Sequence, residues 1–137
     1  MGFLLFLWIL FIFIGTCTKD VHAFLDKGEV EFVFTLQPEL GGFVLFYPPH
    51  QFPVIDIFGH FIMFYILTAL LLTVMQNIRV VVLLAISYGL LTEFLQFYFG
   101  RDGDIYDFIV DIIGVISYVS IYLVVHKSSK HMIEIKE

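Results

Sequence analysis

The chain has few of the residues on which soluble or disulfide-stabilised proteins depend. Among 137 residues there is one cysteine, there are four prolines, and only 15% are charged. The single cysteine, Cys17, excludes an internal disulfide framework and a thiolate metal cluster. Seven Lys and Arg stand against thirteen Asp and Glu, a net charge of −6. This balance argues against nucleic-acid binding, which needs a basic surface.

Apolar residues dominate what is present. The apolar fraction is 60%, and 17 residues are phenylalanine. An average soluble domain is roughly half apolar and about a quarter charged. The length suits a single domain. Composition therefore predicts a small membrane protein.

Four apolar segments approach the about 20 residues that a helix needs to cross a membrane. They cover residues 2–17, 55–75, 78–99 and 105–126. The links "QNI" and "GRDGD" are so short that the helices on either side must be antiparallel neighbours. We therefore predict an all-α fold, an integral membrane bundle of four transmembrane helices, with residues 55–126 as a three-helix core.

The first segment, residues 1–17, allows a second interpretation as a cleaved signal peptide. It lacks a basic flank, and no small-x-small cleavage site precedes the first charges. The sequence favours a retained helix.

Residues 18–54 form the one long connection. Its second half, "GGFVLFYPPHQFPV", is rich in prolines, which exclude a regular helix, and in aromatic rings, which favour the headgroup level. We predict an extracytoplasmic interfacial loop packed on the bundle. A lid over a site is the alternative.

Lysine and arginine positions predict the orientation. The tail, residues 127–137, and the link before the third span lie on one side of a four-span bundle, and the long loop lies on the other. The first side carries Lys127, Lys130, Lys136 and Arg79, and the second carries Lys19, Lys27 and Arg101. The positive-inside rule then places both termini in the cytoplasm of a bacterial cell.

Polar residues collect where the second span begins, the third ends and the fourth begins. Asp56 and His60, Glu93 and Gln96, and Asp104, Asp107 and Asp111 each share one helix face, and Arg101 lies between. Because a charge facing lipid is costly, these faces should turn toward one another or toward a water-filled cavity. Gly114 continues the aspartate stripe and would allow close helix packing.

Simpler roles compete for several of these residues. Asp56 has an alternative as an N-cap, and Asp102 and Asp104 fit solvated or capping roles. Glu93 and Asp111 lie two turns inside their predicted helices, so neither capping nor solvation at a helix end explains them.

Two arrangements would accommodate the carboxylates. A structural network would have Arg101 bridging Glu93 and Asp107. Three carboxylates exceed what one arginine and one histidine can neutralise, so they would hold a cation or keep protons. Glu93, Asp107 and Asp111 are the candidate ligands for a divalent cation.

The segments "DIFGH", "EFLQ" and "GRDGDIYDFIVDIIG" resemble the VanZ-like family of small bacterial membrane proteins. The resemblance covers residues 56–114 and the order and spacing of eight positions. These are Asp56, His60, Glu93, Gln96, Arg101, Asp107, Asp111 and Gly114. The chain departs from the family pattern at Ile57, usually lysine, and at Asp111, usually asparagine. Both departures make the polar cluster more anionic.

The resemblance implies lowered susceptibility to the glycopeptide teicoplanin, which acts on wall precursors outside the membrane. A binding protein would hold a polar head group, with Arg101 on phosphate or carboxylate and Glu93 and Asp107 on amines or hydroxyls. Its partners would be membrane lipid and a lipid-linked wall precursor or the glycopeptide itself. The alternative is an outer-leaflet enzyme with His60 and Glu93 as acid and base and a divalent cation. An ion pathway ranks last because the inner halves of the spans offer few polar residues.

Overall fold

The computed structural model describes residues 1–38, 54–101 and 103–134, with the backbone alone for 128–134. Within these ranges the chain forms α-helices and no β-strand. The helices are α1 (Gly2–Cys17), α2 (Val21–Lys27), α3 (Val54–Met75), α4 (Ile78–Tyr98) and α5 (Ile105–Glu134). The proline-rich and aromatic segment of the long loop, predicted to lie at the interface, and Asp102 fall outside the described residues.

The membrane character of the chain follows from α3, α4 and α5, each long and apolar enough to span a bilayer. Their outward faces are apolar too, with Leu83 66%, Ile116 54% and Val124 66% exposed. The predicted all-α membrane fold is confirmed for these three helices. Helix α1 has 16 residues and reaches about 24 Å at 1.5 Å per residue, short of the about 30 Å hydrocarbon core. The fourth span therefore stays a prediction.

Helices α3 and α5 make the most extensive contact in the bundle. Gly114 lies at a close approach of the two helices, since a Cβ built there would be 2.7 Å from the backbone oxygen of Phe61. Phe64, Leu67 and Val115 are fully or almost fully buried beside this contact. Helix α5 continues past the predicted end of its span, residue 126, to Glu134.

Short turns make the three long helices antiparallel neighbours. Between α3 and α4, Gln76 takes a left-handed backbone conformation with φ of 54°. Asn77 then caps α4, its side-chain oxygen accepting from the backbone N–H groups of Arg79 and Val80. Between α4 and α5, Gly100 takes φ of 69°, a conformation that favours glycine. Helix α3 therefore begins, α4 ends and α5 begins at one end of the bundle, here called the polar end.

Helix α1 packs against α3 and α4 and is tied to both by side-chain hydrogen bonds. Trp8 donates from Nε1 to the carbonyl of Met63 at 3.0 Å, and Tyr88 donates its hydroxyl to the carbonyl of Ile9 at 2.7 Å. Ile12 and Cys17 are completely buried. The C-terminus of α1 therefore lies at the polar end.

The first half of the long loop folds back over the polar end. Asp20 caps the short helix α2 by accepting from the backbone N–H of Ala23 at 2.9 Å, which lowers the pKa of its carboxyl. Further along, the backbone N–H of Thr35 donates to the carbonyl of Tyr98 at 2.8 Å. Helix α2 was not predicted, because its seven residues are too few for periodicity to identify a helix. Asp20 before it and Gly28 after it are nevertheless typical capping residues.

Candidate functional site

Four ionisable side chains from three helices converge inside the polar end. His60 comes from α3, Glu93 from α4, and Asp107 and Asp111 from α5. Their exposed fractions are 4%, 6%, 4% and 0%. Burial this complete follows from the helical spacing, which turns the polar face of each helix toward the other two.

His60 lies between the two aspartates of α5. Its Nδ1 is 2.9 Å from Oδ1 of Asp111, and its Nε2 is 3.6 Å from Oδ2 of Asp107. The first distance is that of a hydrogen bond to a carboxylate and the second is too long for one. Nδ1 of His60 is therefore hydrogen-bonded to Asp111, which fixes the orientation of the ring.

Glu93 is held by two donors. Gln96 donates from Nε2 to Oε1 of Glu93 at 3.0 Å, and the backbone N–H of Asp104 donates to Oε2 at 3.2 Å. Asp104 itself caps α5, its Oδ1 accepting from the backbone N–H of Tyr106 at 2.8 Å. Asp104 is thus a capping residue, and it is 5% exposed, so the solvated alternative is wrong for it.

Several buried oxygen atoms of the site have no hydrogen-bond partner among the residues that the structure describes. They are Oδ1 of Asp56, Oε1 of Gln96, Oδ1 of Asp107 and Oδ2 of Asp111. Buried polar atoms are satisfied in the great majority of cases, and each exception calls for an explanation. A bound cation, or protons kept on the carboxyl groups, would satisfy them.

A metal-ligating set lies within this cluster. One ligand atom each from His60, Glu93 and Asp107 can be chosen so that all three lie within 4.8 Å of one another. The sequence analysis named Glu93, Asp107 and Asp111 for this role. The structure brings His60 to Glu93 and Asp107, while Asp111 binds the far side of the His60 ring.

Arg101 does not join the carboxylates. Its Nη1 donates to the carbonyls of Thr16 at 3.0 Å and Gly15 at 3.4 Å. The hypothesis that Arg101 bridges Glu93 and Asp107 is therefore wrong. A guanidinium at the last carbonyls of α1 satisfies acceptors that the helix leaves unpaired and complements its dipole.

An apolar cavity of about 290 Å³ opens beside the cluster, between α1, α2 and α3. Its walls include Trp8, Phe24, Phe58, Gly59 and Met63. Asp56, His60 and Arg101 also line it, although its surface is almost entirely apolar. Asp56 lies in the first turn of α3, which begins at Val54. It is inside the helix and faces the cavity, so the N-cap alternative does not hold.

Gly89 is a site residue that the sequence analysis missed. A Cβ built there would be 3.0 Å from Oδ2 of Asp111 and 3.2 Å from the ring of Phe64. Its small size therefore gives Asp111 its place in the core. The signal was present in the spacing, since residues 89, 93 and 96 share one helix face.

One curated relative is similar to almost the whole chain. It is the uncharacterized membrane protein YwnJ of Bacillus subtilis (strain 168), 29% identical over an alignment 132 residues long that covers 93% of each chain. No protein-family model matches the chain, and no solved structure matches it significantly. This similarity supports the assignment of the chain as a membrane protein.

Proposed function

We propose that the chain is a VanZ-like membrane protein that lowers susceptibility to teicoplanin by binding a lipid-linked component of the cell envelope. The observation that carries this proposal is the cavity, whose surface is almost entirely apolar and whose lining residues include Asp56, His60 and Arg101 at the polar end. Such a cavity suits an amphiphile, and in a bilayer the abundant amphiphiles are lipids and lipid-linked wall components. Ligand sites are commonly apolar with a few polar groups that orient the ligand.

The polar side chains at the cavity suit a ligand head group that carries phosphate and amine or hydroxyl groups. Arg101 carries five N–H donors, and among the described residues its Nη1 donates to α1. A guanidinium suits phosphate. Oδ1 of Asp56, which is buried and has no hydrogen-bond partner within the described ranges, suits an amine or hydroxyl donor. The isoprenoid or acyl part of the ligand would lie along Trp8, Phe24 and Met63.

Orientation and span number belong to the same proposal. Helix α1 would be the fourth span, anchored to α3 and α4 by Trp8 and Tyr88, with its short length met by local thinning of the bilayer. Both termini would be cytoplasmic and the polar end extracytoplasmic, where wall precursors are exposed. Reporter fusions at residue 137 and inside the long loop test this topology, and a periplasmic or surface reading at residue 137 would overturn it.

The function is tested by closing the cavity without touching the buried carboxylates. Gly59 lines the cavity, and a Cβ built there meets no atom within 4 Å. Gly59→Leu should fill the cavity, whereas Gly59→Ala is the matched control that leaves it open. In a teicoplanin-susceptible Gram-positive host, wild type and Gly59→Ala should raise the inhibitory concentration, and Gly59→Leu should not, at equal membrane abundance. An unchanged inhibitory concentration with wild type would refute the proposal.

A second candidate function is a cation-assisted enzyme acting on a lipid-linked head group. The specific observation in its favour is the approach of His60, Glu93 and Asp107 to within 4.8 Å of one another beside the cavity. Purified protein supplied with a polyprenyl pyrophosphate and a divalent cation would then release phosphate. If wild-type protein binds the polyprenyl pyrophosphate but releases no phosphate from it, the enzymatic function is refuted and the binding function remains.

A further inference from the structure

The donor set in the polar end has the composition of a transition-metal site. It comprises one imidazole and two carboxylates, delivered by His60 of α3, Glu93 of α4 and Asp107 of α5. Imidazole nitrogen with carboxylate oxygen suits Zn²⁺ and also Mn²⁺. Catalytic zinc sites commonly use three protein ligands and keep a fourth position for water or substrate.

The distances agree with ligands of one ion. Two ligands of a tetrahedral ion, each about 2.1 Å from it, lie roughly 3.4 Å apart. Nε2 of His60 and Oδ2 of Asp107 are 3.6 Å apart. That separation is too long for a hydrogen bond between the two atoms, yet it is close to the spacing that a shared ion would impose.

Asp111 prepares His60 for this role. Its Oδ1 lies 2.9 Å from Nδ1 of His60. With Asp111 ionised, the ring proton lies on Nδ1, and Nε2, 3.6 Å from Oδ2 of Asp107, keeps the lone pair that a metal ion needs. A ligating histidine almost always donates its other N–H to a carboxylate, a carbonyl or water. Asp111 supplies that partner, which makes it a positioning residue and not a ligand.

Unpaired acceptors provide an independent observation. In the part of the chain that the structure describes, Oδ1 of Asp107 and Oε1 of Gln96 have no hydrogen-bond partner, although the two residues are only 4% and 1% exposed. Glu93 is oriented through both oxygens by Gln96 and Asp104, as ligating carboxylates commonly are. A dication would neutralise Glu93 and Asp107 together, which removes the cost of two buried charges at membrane depth.

We infer that His60 Nε2, Glu93 and Asp107 bind one divalent transition-metal ion, Zn²⁺ or Mn²⁺, with Asp111 orienting His60 from behind. The inference is independent of the proposed binding function, and it supplies the cation that the second candidate function requires. Metal content is measured on purified protein, whereas glycopeptide susceptibility is measured on cells.

The test begins with the full chain in detergent, stripped by a chelator and then dialysed against Zn²⁺ or Mn²⁺. Elemental analysis should find one ion per chain in wild type. Glu93→Gln and Asp107→Asn, which keep shape and remove charge, should lose it. Glu31→Gln is the matched control, a carboxylate at the same end that is exposed and pairs with Lys19. It should load like wild type.

Asp111→Leu, which removes the acceptor beside Nδ1 of His60, distinguishes positioning from ligation. Loss of an outer-shell partner weakens metal affinity by about 10–100-fold, so this variant should bind the ion weakly, whereas the two ligand variants should not bind it stoichiometrically. Wild type without a stoichiometric ion, or ligand variants that load normally, would overturn the inference.

A measurement on wild type alone covers the case in which the ligand variants fail to fold. X-ray absorption of zinc-loaded protein should show one imidazole with oxygen ligands at about 2.0–2.2 Å. A sulfur ligand, which only Cys17 or a methionine could supply, or a shell of oxygen alone, would refute the assignment.

Discussion

Nδ1 of His60 and Oδ1 of Asp111 lie 2.9 Å apart across the contact between α3 and α5, although 51 positions separate them in the chain. Both side chains are almost fully buried. The pair therefore fixes the ring of His60 and, with Gly114 below it, the registry of the two helices.

Exchanging Asp111 for asparagine should preserve the fold. The amide oxygen still accepts from Nδ1 of His60, and one buried charge disappears. We expect wild-type membrane abundance and a thermal midpoint in detergent within a few degrees of wild type. Asp111→Leu is the contrasting variant. It removes the acceptor and leaves the Nδ1 proton of His60 unpaired, at a cost of about 1–3 kcal/mol, so equal stability of the two variants would contradict this role.

Gly114→Ala should destabilise the bundle. The new Cβ would lie 2.7 Å from the carbonyl oxygen of Phe61 and 3.2 Å from the backbone nitrogen of Tyr65. Backbone atoms cannot rotate away, so α3 and α5 must separate, at a cost of about 1–3 kcal/mol. Gly59→Ala is the control on α3, since its Cβ meets nothing within 4 Å. Thermal unfolding in detergent should separate the two variants, and equal midpoints would contradict the close contact.

Gly89→Ala should affect the site more than the fold. Its Cβ would press on Oδ2 of Asp111 and on the ring of Phe64, which are side chains that can shift. The higher helix propensity of alanine, about 1 kcal/mol, offsets much of that cost. We expect near-wild-type stability together with weaker metal binding, because the displaced Asp111 orients His60 less well. Calorimetric titration with Zn²⁺ measures the affinity, and unchanged affinity would speak against positioning by Asp111.

Arg101→Ala should loosen the end of α1 and uncover Cys17. The guanidinium binds the carbonyls of Gly15 and Thr16, and hydrogen bonds to charged groups contribute about 1.5–3 kcal/mol. Cys17 is completely buried and is the only cysteine of the sequence. Maleimide labelling should therefore accelerate about tenfold or more.

The control for this labelling is Lys19→Ala, which removes an exposed cation near the same helix end that pairs with Glu31 at 3.4 Å. It should label at the wild-type rate. A membrane-impermeant maleimide applied to intact cells also reports which side of the membrane the polar end faces. Equal labelling of Arg101→Ala and wild type would show that Arg101 does not hold α1 in place.

Much of the architecture could be predicted from the sequence, because hydropathy and the brevity of two links determine antiparallel neighbours. The helical spacing of His60, Glu93, Asp107 and Asp111 also indicated which faces meet. The spacing does not specify which atoms meet. The predicted metal ligands included Asp111, whereas the structure brings His60 to Glu93 and Asp107 instead. This difference depends on side-chain rotamers, which periodicity does not encode.

The partner of Arg101 was unpredictable for a different reason. Every helix ends in unpaired backbone carbonyls, and the sequence does not indicate which Lys or Arg side chain will bind them. The burial of Asp104 was not predicted either. A capping aspartate has the same sequence signature whether it is buried under a loop or exposed to water.

The recruitment of the cluster from three helices has a consequence for biosynthesis. Translation delivers His60 first, Glu93 next and Asp107 last, each on a separate helix. A nascent chain that has inserted only α3 and α4 therefore holds an acidic side chain in the bilayer without its eventual neighbours. Assembly of the polar end becomes a late event that depends on α5, and a product truncated before residue 105 should be recognised as incomplete and degraded.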